Sequence, residues 1–335
     1  MVGCAYIANA KTANVSVINL QTNETVQTIE VENSPHHIAI TKHWRFAYVT
    51  NKDSASVSVI DILTNIMSKR IEVGNSPCHI AITPDEKLAY VANQDSANVS
   101  VIDVGTNTKI TDIEVGDNPF HIKVTPDGKQ AYVLKRPSKN ISVIDVQTSS
   151  KISDIEVGEN PSDIAFTLDG KQAYVANANS ENVSVIDIHA NTLIQTIGVG
   201  SIPFQIRITP DGKKVYVANI ASDNVTVINV ETNAIIQTIK VGRIPFHFAI
   251  TPDGKRAYVV NANSSNVTVI DIETNTSVQT IEVGDLPFHI VISPDETRAF
   301  VANQNSANVT VIDIETDSRI TDIKVGDAPL YIAIN

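Results

Sequence analysis

One aromatic position returns every 42 residues. Tyr6, Tyr48, Tyr90, Tyr132, Tyr174, Tyr216 and Tyr258, with Phe300 in the eighth place, keep that spacing without an insertion or deletion. The unit around each reads P-x-x-I-x-I-T-P-D-G-K-x-A-Y-V-A-N-x-x-S-x-N-V-S-V-I-D-x-x-T-N, followed by an apolar-rich run and V-G. A strict period of this length means one supersecondary unit stacked against copies of itself. Of the fourteen prolines, only Pro137 falls outside the unit's two proline positions.

Turn residues divide each unit into four short strands. In the third copy they predict strands over 79–83, 89–92, 99–103 and 110–115, with tight turns at 84–86 and 105–107. Runs such as N-V-S-V-I-D are apolar on both faces, as a sheet sandwiched between two others requires. A four-stranded unit repeated in tandem is a propeller blade, with the P-x-x-I-x-I strand innermost. Eight units of 42 make 336 residues, one more than the 335 of the chain. The first copy opens on its second strand, and the chain ends on a first strand. The expectation is an all-β, eight-bladed β-propeller forming a single domain over 1–335, its N-terminal strands (5–31) completed by the C-terminal strand (329–334).

The repeated A-Y-V-A-N…N-V-S-V-I-D…V-G-x-x-P-x-x-I-A-I-T-P-D-G-K resembles the YVTN family of propeller repeats over the entire chain. Members are found in surface-layer, secreted and periplasmic proteins, and many are seven-bladed. The resemblance implies the fold and an extracellular or cell-surface location.

A net charge of −12 and a pI near 5.1 oppose nucleic acid or an anionic membrane as the main partner. Cys4 and Cys78 are the only cysteines, which excludes a CxxC zinc site and a disulfide framework. No apolar run approaches the ~18–20 residues of a membrane-spanning helix, and the start M-V-G-C-A-Y-I-A-N lacks the parts of a signal peptide.

Departures from the repeat nominate the sites. The second residue after the blade proline is His37, His79, His121, Asp163, Gln205, His247, His289 and Tyr331 in successive copies. Five imidazoles converging on an axis would suit copper, zinc or iron. The alternative is structural, each histidine satisfying a neighbouring strand's backbone. Two residues further on, the same face carries alanine or valine except at Lys123 and Arg207, which flank the blade holding Asp163. Lys135-Arg136-Pro137-Ser138-Lys139 replaces an Asn-rich loop in the Lys123 copy. Together these residues outline an anion-binding pocket at the channel mouth, lined by Lys123, Arg207, Asp163, Gln205, Lys135 and Arg136. The competing reading is a closed bridge between Asp163 and the cations. His36 and His189 are isolated, and the V-I-D aspartates cap turns. Trp44, the only tryptophan, offers a contact for a partner protein.

No Ser/His/Asp or Cys/His arrangement stands out, and loop lengths never change, unlike the spoiled repeats of enzymes. The leading expectation is a non-catalytic binding or scaffold module taking an anionic small ligand, a partner protein or another copy of itself. The alternative is a metal-dependent oxidoreductase or lyase using the histidine ring.

Overall fold

The computed structural model describes residues 3–43 and 45–335, so the contact expected of Trp44 lies outside the described residues. Thirty-two strands, β1 to β32 in chain order, form eight four-stranded antiparallel sheets, and the described residues contain no α-helix. The chain is an eight-bladed β-propeller. Blade 3 is representative, with β8 (Pro77–Ile82), β9 (Leu88–Asn93), β10 (Asn98–Asp103) and β11 (Thr108–Glu114) pairing in sequence order. Blade 1 differs only in its source of strands. Its innermost strand is β32 (Pro329–Ile334), which pairs antiparallel with β1 (Cys4–Asn9) from Ala5↔Ile334 to Asn9↔Pro329.

The blades fall into two compact units. One holds blades 1–4, the chain up to Ile155 together with Lys324–Asn335; the other holds blades 5–8, Glu156–Ile323. Within each unit the core lies between neighbouring sheets. Tyr90, Val99 and Val101 of blade 3 meet Ile122, Ala131, Val133 and Ile144 of blade 4, all fully buried. Each such aliphatic side chain contributes roughly 1.5–3 kcal/mol by leaving water, and the same layer recurs between blades 6 and 7.

The repeated tyrosine explains the repeated T-N turn. Tyr6 Oη donates to Asn65 Oδ1 of the next blade at 2.6 Å, Tyr174 to Asn233 at 2.5 Å and Tyr216 to Asn275 at 2.7 Å. Those asparagines sit at φ of 53–55°, a left-handed conformation that asparagine tolerates. One residue type thus supplies both the turn and the tie between blades. The V-I-D aspartate caps the same turn, Asp103 Oδ1 accepting from Thr106 N–H at 2.7 Å.

A second network sits under the A-Y-V-A-N asparagine. Fully buried Asn93 donates from Nδ2 to Asn98 Oδ1 at 2.9 Å and to Ser100 Oγ at 2.8 Å. The asparagines of the N-V-S/T triplets are therefore structural acceptors. The V-G glycine covers this network, and a Cβ on Gly74 would lie 2.7 Å from Asn93 Cβ.

Candidate functional site

The proline strands are innermost and lie side by side. In the first unit they run β32, β4 (Pro35–Ile40), β8, β12 (Pro119–Val124); in the second, β16 (Pro161–Phe166), β20 (Pro203–Ile208), β24 (Pro245–Ile250), β28 (Pro287–Ile292). In the first unit the second residues after proline form an arc of tilted rings in contact. The ring centroids of Tyr331 and His37 are 4.0 Å apart, those of His37 and His79 3.9 Å, and those of His79 and His121 4.0 Å. His247 and His289 repeat this in the second unit at 4.0 Å. The rings are in contact along the arc, and among the described residues no group of three or more His, Cys, Asp or Glu is placed to hold an ion. As arranged, the histidines do not fit a metal centre. His289 is fully enclosed, and burial, aided by the charge of Arg207, holds its imidazole down at about 3.

Asp163 and Gln205 use the same slot to tie one inner strand to the next. Asp163, 5% exposed, accepts through Oδ1 from Ile164 N–H at 2.8 Å and through Oδ2 from Ile206 N–H at 3.1 Å. Gln205 Oε1 accepts from Phe248 N–H. Arg207 closes on Asp163, with Nη1 2.6 Å from Oδ2. Of the two readings open in the sequence, the geometry of Arg207 is that of the bridge. Lys123 is half-buried on β12, opposite Tyr132, in the first unit, whereas Arg207 belongs to the second.

The basic segment of blade 4 is divided between interior and surface. Lys135 does not open the loop. It ends β13 (Gln130–Lys135), is 6% exposed, and donates to Val115 O at 3.1 Å and Asp154 Oδ1 at 3.2 Å. Burial lowers the pKa of its ammonium, partly offset by Asp154. The register foretells this, since Lys135 holds the place of buried Asn93 and Asn177. The guanidinium of Arg136 stacks over Phe120, 4.0 Å from the ring centroid. His36, expected to be isolated, has its Nδ1 2.9 Å from Cys78 O. A groove of about 650 Å³ lies at the turns of blades 3 and 4, among Asp85, Lys87, Asp103 and Lys129, and none of the nominated residues lines it.

A further cluster escaped sequence reading. The residue before each blade proline has φ between 51° and 59°. Blades 2–5 fill this left-handed position with Ser34, Ser76, Asn118 and Asn160, but blades 6–8 place Ile202, Ile244 and Leu286 there. A large or β-branched side chain in this conformation costs roughly 1–2 kcal/mol. The residue after the same prolines is Phe204, Phe246 and Phe288, whose rings stack with centroids 4.5 and 4.4 Å apart. All three phenylalanines are partly exposed and Ile202 is 42% exposed. The signal was present as S-I-P-F, R-I-P-F and D-L-P-F, against N-S-P-H and N-S-P-C in the early copies.

Among solved structures, the hydrazine synthase of Kuenenia stuttgartiensis superimposes with a TM-score of 0.69 at 26% identity, over 83% of this chain and 95% of that one. Dihydro-heme d1 dehydrogenase NirN in complex with DHE gives 0.86 at 13% identity, over 99% of this chain and 75% of that one. Apo AztD from Citrobacter koseri gives 0.76 at 15% identity, over 99% and 98%. The last two likenesses show the fold alone. No curated protein matches in sequence. The family model described as "Lactonase, 7-bladed beta-propeller" matches residues 4–118, 112–198 and 195–280. Those residues are more than half of the sequence, and the chain belongs to this lactonase-type β-propeller family, with eight blades in place of seven.

Proposed function

We propose that the protein is a non-catalytic binding propeller whose ligand surface is the apolar lip formed by Ile202, Phe204, Ile244, Phe246, Leu286 and Phe288. The observation that carries this reading is the backbone strain. Residues held in a sparsely populated conformation persist where something outweighs the cost, and binding sites are the usual place. Three consecutive blades accept that cost and hold aliphatic residues two positions before a row of aromatic rings in contact, where serine, asparagine or alanine serves elsewhere. The ligand class is an apolar or aromatic small molecule. The anion site anticipated at Lys123 and Arg207 is secondary, because Arg207 already holds Asp163. The YVTN-type repeat further supports a surface-layer or secreted setting.

The test is a titration with a neutral apolar fluorophore such as N-phenyl-1-naphthylamine. The wild type should bind it saturably, and the triple variant Ile202→Asn/Ile244→Asn/Leu286→Asn should bind at least about tenfold more weakly. Equal affinity for both proteins sinks the reading.

Likeness to a hydrazine synthase favours a second reading, an enzyme using the histidine arc with copper, zinc or iron. It requires the imidazoles to leave their ring-to-ring contacts, and a near-stoichiometric ion in the purified chain.

A further inference from the structure

The outermost strand of each blade has one free edge, a row of backbone donors and acceptors open to another strand. Seven of these eight strands place a charge at one register position: Glu30, Glu72, Glu114, Glu156, Lys240, Glu282 and Lys324, all exposed. The eighth, β19 (Thr192–Gly198), has Gly198 there and carries no charge along its whole length, T-L-I-Q-T-I-G, alone among the eight. Neither packing nor conformation demands this glycine. A Cβ on it would meet nothing within 4 Å, and its φ lies outside the left-handed region. Leu193 and Ile194 on β19 are 44% and 49% exposed, and Ile235 and Ile236 on β23 (Ile235–Lys240) of the next blade are 47% and 43% exposed.

We propose that β19 is a dimerisation edge at which a second copy of this chain pairs, antiparallel, β19 against β19. An open strand edge is answered only by another extended backbone. Two identical strands related by a two-fold axis present the same patch to each other. Copies that each carry −12 repel, and at the other edges like charges would approach closely. A basic foreign strand would be drawn to the edges carrying glutamate. The edge stripped of charge suits a neutral strand, and its own copy supplies one.

Sedimentation velocity of the full chain over about 1–200 µM tests this. The wild type should dimerise, more tightly at higher salt because screening relieves the repulsion. Gly198→Glu and Ile194→Lys should each weaken the dimer at least about tenfold, while Val278→Lys on β27 (Thr276–Glu282) should leave it unchanged. Hydrogen exchange across 192–198 should slow as the dimer forms. Circular dichroism confirms that the variants fold, and the open space at Gly198 makes its substitution benign. A wild type that stays monomeric at about 200 µM overturns the proposal and leaves the edge to a foreign strand. A dimer unaffected by both substitutions on β19 overturns it equally.

Discussion

His289 shows how far one side chain is shaped by its place in the repeat. Eight copies of the slot after proline lie on inner strands, and this copy is enclosed completely, so its imidazole stays neutral until about pH 3. An unfolded histidine takes up its proton near 6.5. Between those values the unfolded chain binds the extra proton, so stability falls as pH drops from 6.5 toward 3 and is unaffected above 6.5. The expected loss is on the order of 1 kcal/mol for each pH unit below 6.5. His289→Gln, a residue the slot already accepts at 205, should flatten that part of the melting-temperature profile relative to wild type. Parallel profiles would show that His289 protonates without cost. The same slot shows what the sequence could not say. Convergence of histidines was legible, but whether rings stack or coordinate depends on side-chain angles that no pattern records.

At the scale of the element, nearly everything was legible. The strands expected at 79–83, 89–92, 99–103 and 110–115 are observed at Pro77–Ile82, Leu88–Asn93, Asn98–Asp103 and Thr108–Glu114. All four strands start one or two residues early and the second also runs one residue on, because backbone pairing continues past the apolar run; the first and fourth end one residue short and the third ends as expected. Lys135 was misread for the same reason: a charged residue looked like loop while register made it the buried end of a strand. Pairings across elements were less visible than the elements themselves. The V-G glycine reads as a strand terminator, yet its role is to let the chain pass over the buried asparagine. Gly200→Ala, whose Cβ would lie 2.8 Å from that of Asn219, should therefore lose about 1–3 kcal/mol in denaturant unfolding. An unchanged midpoint would mean that the covering segment yields freely.

For the whole molecule, the count of blades came from arithmetic and from the strand that ends the chain, and β32 pairing with β1 answers it. Function was far less legible. Charged departures attract the eye, yet Lys135 and Arg207 are engaged in bridges within the fold. The informative departures are apolar residues at positions whose strain only backbone angles reveal. If the lip of blades 6–8 is kept for binding at the expense of stability, relieving it must stabilise the protein. The most direct measurement is the melting temperature of the Ile202→Asn/Ile244→Asn/Leu286→Asn variant beside the wild type. A rise of a few degrees is expected, from about 1 kcal/mol recovered at each left-handed position. A fall would mean that these side chains are core that the fold itself needs, and would contradict a lip held for a ligand.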